Sequence, residues 1–182
     1  LDRSKFVVLR YDYSSSLPSA AQLMPVANLA NPLNTIIGNP DLNLNKKSSV
    51  NINYRNFDMR TRSGYNLFAR GDFFDSEVVS SSVYDSSGKR VTSYRNVTGT
   101  YTASAGGNWN KTIKFDAHVL RYGLGLNGSY SLDKGFTDAV LYSSKSLGLS
   151  PRVYLTYDYG ELLSVVPSYS LAYNESRYTN SS

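Results

Sequence analysis

The chain has 182 residues, no cysteine, a single histidine and a formal net charge of +5. It therefore has neither a disulfide framework nor a thiolate metal site, and no run of about 18 apolar residues exists to cross a membrane as a helix. The basic residues are scattered: Lys46-Lys47, Arg60 with Arg62, and Lys89-Arg90 fall in predicted connections. With no basic stripe and no RNP-like motif, nucleic acid is not an expected partner.

Apolar and polar residues alternate with period two along most of the chain, which places successive side chains on opposite faces of a strand. The first predicted strand is Lys5–Tyr13, with Val7, Leu9, Tyr11 and Tyr13 on one face and Val8, Arg10 and Asp12 on the other. Residues 14–47 break the pattern and hold four of the six prolines, so they read as a long connection in which Ser19–Met24 forms a helical turn or two. The second strand, Ser48–Phe57, sets Val50, Ile52 and Tyr54 against Asn51, Asn53 and Arg55. A short turn at Asp58–Arg62 leads to the third, Gly64–Phe74, with Tyr65, Leu67, Ala69 and Phe73 opposite Asn66, Phe68, Arg70 and Asp72. The chain then continues as a protruding ribbon through Val83-Tyr84, turns at Asp85–Lys89 where Gly88 supplies a positive φ, and returns through Val91 and Tyr94.

The fourth strand is Asn96–Asn108, closed by Trp109 and a turn at Asn110-Lys111-Thr112. The fifth, Ile113–Tyr130, carries the cleanest alternation: His118, Leu120, Tyr122, Leu124 and Leu126 against Val119, Arg121, Gly123, Gly125 and Asn127. A loop over 131–145 leads to the sixth, Ser146–Tyr157, and the Asp158–Glu161 turn to the seventh, Leu162–Tyr173. Leu120, Tyr122, Leu124, Val153, Leu155, Tyr169 and Leu171 are expected to share one face, with Arg121, Asn127 and Arg152 on the other.

Most of these strands are nearly twice the roughly 5–6 residues of a soluble strand and match the about 9–11 needed to cross a bilayer at a tilt. One apolar face, one polar face, and connections that alternate long and short describe the wall of an outer-membrane barrel. The excess of tyrosine, 16 residues against 7 Phe and 1 Trp, suits a surface at a membrane–water boundary. The expected fold is all-β: an antiparallel up-and-down meander of about seven long strands, part of a large outer-membrane β-barrel, with sequential strands paired antiparallel and no parallel pair.

Other signals give way to structural readings. Gly123-Leu124-Gly125-Leu126-Asn127-Gly128 fits the dinucleotide fingerprint G-x-G-x-x-G, but the fingerprint requires a strand-to-helix turn, and these glycines sit inside an alternating strand. His118 has no Cys or second His with which to build a transition-metal site and reads as an outward residue near a strand start. No Ser–His–Asp signature or nucleophile elbow is present, so the chain reads as a non-enzyme without cofactor. Asn-x-Ser/Thr triplets begin at Asn96, Asn110, Asn127, Asn174 and Asn180; a chain this rich in Asn, Ser and Thr produces them by chance. Arg10, Arg55, Arg70, Arg121 and Arg152 all fall on the polar face, two of them beside Asp12 and Asp72. A charge facing lipid near the midplane costs about 2–4 kcal/mol, so this phase agrees with a barrel. The arginines read first as a wall-lining network, and second as contacts to a plug or an anionic solute.

In the long first connection, Leu17-Pro18, Leu23, Pro25, Asn31-Pro32-Leu33 and Gly38-Asn39-Pro40-Asp41-Leu42 resemble the barrel region of TonB-dependent receptors of the Bacteroidetes outer-membrane β-barrel family. The Tyr84–Lys89 turn with Asn96-Val97, and Trp109–Lys111, are similar to that family as well. The resemblance covers roughly residues 5–178. It departs where Leu44-Asn45 stands in place of the family's frequent Pro-Glu. It implies a parent that imports a bulky nutrient across the Gram-negative outer membrane, with the lipid bilayer, a plug domain and TonB as partners. It fixes no substrate-binding residue. Two other readings stay open: a plug-less outer-membrane barrel such as a porin or assembly protein, and a soluble secreted β-sandwich that binds a ligand. Residues 1–182 are expected to be a partial barrel domain cut from a longer precursor. The chain starts mid-pattern at Leu1–Ser4 without a signal peptide, ends without an aromatic residue, and contains neither plug nor C-terminal strand.

Overall fold

The computed structural model describes residues 5–27, 31 and 33–180. Leu1–Ser4, Pro32 of the family-like segment, and Ser181-Ser182 lie outside the described residues. The elements in chain order are β1 (Lys5–Ser16), α1 (Ala20–Leu23), β2 (Asn34–Ile36), β3 (Asn45–Asp58), β4 (Ser63–Tyr84), β5 (Arg90–Val97), β6 (Thr100–Phe115), β7 (His118–Thr137), β8 (Val140–Tyr159), β9 (Leu163–Val165), β10 (Ser168–Ser170) and β11 (Tyr173–Asn180). All eleven strands belong to one sheet.

The wall is an antiparallel meander in chain order, β1-β3-β4-β6-β7-β8, followed by a composite strand made of β9, β10 and β11. The three short pieces hold one register against β8: Val165 opposes Tyr157, Tyr169 opposes Val153, and Tyr173 opposes Leu149. Pro167 and Leu171 bridge the gaps, Pro167 accepting from the Leu155 N–H and Leu171 donating to the Pro151 carbonyl. The wall thus has the seven strand positions expected. β1 pairs only with β3, and the composite strand only with β8, so the sheet is open at both edges among the described residues.

Several boundaries differ from the expectation. Asn110-Lys111-Thr112 is not a turn but continues β6, and the chain reverses at Asp116-Ala117, where Asp116 has φ 47°. The loop expected over 131–145 is instead the upper half of β7 and β8, paired as far as Thr137 with Val140. Their tip turns on Asp138 and Ala139, both left-handed at φ 50° and 63°, the backbone that a two-residue type I′ hairpin demands. In both cases polar residues extend a strand past its apolar band, and cross-strand pairing outweighs their local preference for turns.

β5 and β6 keep a single register against β4, Val97 opposing Glu77 and Thr100 opposing Phe74, interrupted only at Thr98-Gly99. Residues 63–115 are therefore one long hairpin whose upper part is the ribbon read from the sequence. That ribbon contradicts the expectation that no parallel pair occurs. β2 lies parallel to β5, Thr35 opposing Val91, and the tip of β7 lies parallel to β4, Ser81 opposing Phe136. The ribbon turns over the rim, so the edge of β4 that meets β3 lower down meets β7 here. Both parallel contacts lie in this cap; the wall itself is antiparallel throughout.

The cap also holds nearly all of the burial. Val97 is the one buried hydrophobic side chain among the described residues, and Thr35, Ser81, Ser82, Thr92 and Thr100 are buried in the same part of the sheet. α1 opens on Ser19 with a reciprocal capping box to Gln22, satisfying donors that a helix start otherwise leaves open. The Gly38–Asp41 segment latches this connection onto the ribbon. Asn39 donates from Nδ2 to the Tyr94 carbonyl at 2.9 Å and accepts at Oδ1 from the Asp41 N–H at 3.0 Å. Gly38 lies against the backbone of Met24 so closely that any Cβ would collide with it. Asn96 completes the latch, accepting from the Asn43 N–H and donating to Ser76.

Candidate functional site

The two faces of the wall are chemically opposite. Pairing places Leu9, Ile52, Ala69, Ala105, Gly128 and Leu149 side by side across six strands of one face. Leu120, Tyr122, Leu124, Val153, Leu155, Tyr169 and Leu171 share that face, while Arg121, Asn127 and Arg152 lie on the other, as expected. The apolar face is open: Leu124 is 54% exposed, Leu126 50% and Val153 50%. No second sheet covers it among the described residues.

Aromatic residues border this face in two rows. One runs through Tyr54, Tyr65, Trp109 and Tyr122, with Tyr54 and Tyr65 centroids 5.6 Å apart and Trp109 edge-on to Tyr122 at 5.6 Å. The other runs through Phe73, Tyr101 and Tyr130 at 6.2 and 5.9 Å. On three neighbouring strands the spacing repeats: Tyr65 to Phe73, Tyr101 to Trp109 and Tyr122 to Tyr130 each span eight residues. At about 3.4 Å per residue that is roughly 27 Å along the strand. Between the rows this face carries only Val, Ile, Leu, Ala, Gly, Pro151 and, on the two edge strands, Tyr11, Tyr169 and Tyr173; its charged residues, among them Lys5, Asp58, Lys111, Lys134, Lys145, Glu175 and Arg177, lie at or beyond the rows. His118 sits below the first row, stacked on Phe115 at 4.9 Å and against Tyr159 at 4.8 Å, with Nδ1 2.8 Å from the Tyr157 hydroxyl.

On the polar face, Arg70 pairs with Asp72 at 3.0 Å, and Arg121 with Asp158 at 2.5 Å. Asp72 also accepts from the Ser49 hydroxyl at 2.6 Å and lies 4.0 Å from Lys47. Arg10, Arg55 and Arg152 have no acidic partner among the described residues, Arg10 included although Asp12 follows two residues later on the same face. The wall-lining network is real for two of the five arginines, and the other three leave this face with unneutralised positive charge.

Beside Arg152 the polar face sinks into an open recess of about 390 Å³, lined by Phe68, Asn108, Gly125, Asn127, Arg152 and Tyr154. Sequence reading placed Asn127 and Arg152 on this face but did not bring together these residues from four different strands. Its signal was the pair of glycines Gly123 and Gly125 on the polar side of β7. A Cβ at Gly123 would strike the Tyr154 ring, which lies across it, whereas one at Gly125 would have 3.8 Å to its nearest neighbour. One glycine seats a ring; the other leaves a floor.

The remaining candidates resolve structurally. The G-x-G-x-x-G glycines lie within β7 with no helix following. Asn96 lies in β5, Asn110 in β6, Asn127 in β7, and Asn174 and Asn180 in β11. No cluster of metal-ligating side chains occurs among the described residues. In the turns, the Asp58 carboxyl lies below the usual carboxylate range because it accepts from the backbone and hydroxyl of Thr61 and the backbone of Arg60. Asp85 is lowered chiefly by the Ser87 hydroxyl, then by the Lys89 N–H. No family model, curated protein sequence or solved structure matches the chain.

Proposed function

We propose that this chain is a wall segment of an outer-membrane β-barrel, its apolar face against lipid and its polar face toward a water-filled lumen. The observation that carries this is the uncharged band between two aromatic rows with the same eight-residue spacing on three strands. Outer-membrane barrels carry an apolar band about 25 Å tall between aromatic girdles, and roughly 27 Å of strand, tilted, fits within that height. A β-sandwich would need a second sheet over the band. Unpaired backbone at the two edges is costly in hydrocarbon, which favours a larger barrel whose further strands complete it.

By the resemblance at Gly38–Leu42, the parent is a TonB-dependent receptor that imports a bulky nutrient, with a plug domain inside the barrel. A plug-less barrel shares the same wall, so a plug sequence upstream in the reading frame separates the two. The membrane assignment is tested with Trp109, the chain's one tryptophan. In the chain refolded into vesicles, its emission should be blue-shifted and quenched by lipids brominated near the interface. Emission of a water-exposed indole, indifferent to brominated lipid, would overturn the assignment.

A further inference from the structure

We propose that the recess formed by Phe68, Asn108, Gly125, Asn127, Arg152 and Tyr154 is a binding site for an acidic pyranose, a sugar ring bearing a carboxylate. The proposal rests on the polar face being the solvent side of the wall, as argued above.

Its volume of about 390 Å³ falls within the roughly 300–1,000 Å³ of small-molecule sites. Three groups converge there unspent: among the described residues, the Arg152 guanidinium and the Asn108 and Asn127 carboxamides have no side-chain hydrogen-bond partner. All three side chains are exposed. Pairing fixes their places, with Asn108 opposite Gly125 and Gly125 opposite Arg152, while Asn127 follows two residues along β7. Two half-buried rings flank the Gly125 rung, one on each side, Phe68 leaning over Gly106 and Tyr154 over Gly123.

Each part matches one feature of the ligand. A guanidinium offers paired N–H donors in the planar geometry of a carboxylate. A carboxamide both donates and accepts, which suits neighbouring sugar hydroxyls. A ring face takes the apolar face of a pyranose, removing it from water. The charge balance points the same way: Arg10 and Arg55 on this face also lack an acidic partner among the described residues, so the field draws an anion inward. A bare anion would use the arginine but leave the rings and carboxamides idle.

The test is ligand-observed NMR titration of the full chain refolded in detergent micelles, using a glucuronate disaccharide, its neutral glucose counterpart and inorganic sulfate. The acidic sugar should bind at least tenfold more tightly than the neutral one, and sulfate should not displace it at equal concentration. R152Q should remove that preference, and F68A should weaken both sugars about equally. G125V is the control for folding, since a branched side chain suits a strand and fills the floor; it should abolish binding with the far-UV spectrum unchanged. Equal affinity for the two sugars, unaltered binding in G125V, or displacement by sulfate at equal concentration would overturn the proposal. Trp109 quenching measured on the same protein refolded into brominated-lipid vesicles separates the readings: quenching without binding defeats the sugar site alone, and binding without quenching defeats the membrane wall.

Discussion

Ala139 holds φ 63° beside Asp138 at φ 50°, and an L-residue in that region pays roughly 1–2 kcal/mol of steric strain that glycine avoids. Ala139→Gly should therefore stabilise the β7–β8 tip, by up to about 1 kcal/mol once glycine's larger unfolded-state entropy is included. A urea midpoint that falls in this variant would contradict the reading. Asp85 gives a pH prediction. Its carboxyl is depressed by hydrogen bonds from Ser87 and Lys89, so its contribution to the turn is present above the unfolded carboxylate pKa, about 3.9. It is lost as pH falls through the lower folded value. Amide exchange at Ser87 and Lys89 should accelerate beyond its intrinsic pH dependence below about pH 4, and Asp85→Asn should remove that transition.

At the scale of elements, facing is the decisive property. Leu126 sits midway between Tyr122 and Tyr130 on the apolar face, with Asn127 next to it on the polar one. Leu126→Arg should cost about 2–4 kcal/mol in vesicles, whereas Asn127→Arg should leave stability nearly unchanged; reversibility of folding has to be verified for both. This facing was legible in the sequence because period two depends only on adjacent residues. The ends of strands were not. Asn110-Lys111-Thr112 and Asp133-Lys134-Gly135 have turn-like composition, but pairing with Tyr122 and with Tyr142–Ser144 holds them extended. The recess was illegible for a related reason: its residues come from four strands spread over positions 68 to 154 and meet only when register is known. Gly38-Asn39 was visible as a family-like motif, and its physical work, latching a connection to Tyr94, came from the structure.

The whole molecule turns its greasy side outward and buries chiefly hydroxyls, with Val97 as the one buried hydrophobic side chain among the described residues. In water such a chain lacks the apolar burial that normally opposes chain entropy, and it presents open edges at β1 and the composite strand, which invite strand addition. Expression without an export signal should give inclusion bodies, with native-like strand content recovered only in detergent or lipid. A soluble, monodisperse product in plain buffer would count against both the membrane wall and the open sheet.

The cap has a consequence for register. A one-residue slip inverts every side chain, but a slip of two preserves facing, so alternation alone cannot tell a correct pairing from one displaced by two. In the membrane wall proposed above, the aromatic rows would penalise such a displacement only mildly, because a shifted tyrosine would still lie near an interface. The cap is less forgiving. Asp138 Oδ1 accepts from the Tyr84 N–H at 3.2 Å, the Asp138 N–H donates to Ser82, and the Arg95 guanidinium lies 5.1 Å over the Phe136 ring. These ties reach from β4 and β5 to β7 without passing through β6. They work as a vernier, closing only when both intervening pairings are in step. In a barrel, accumulated stagger sets strand tilt and, with strand number, diameter, so in the barrel proposed above these few contacts would help to gauge its width.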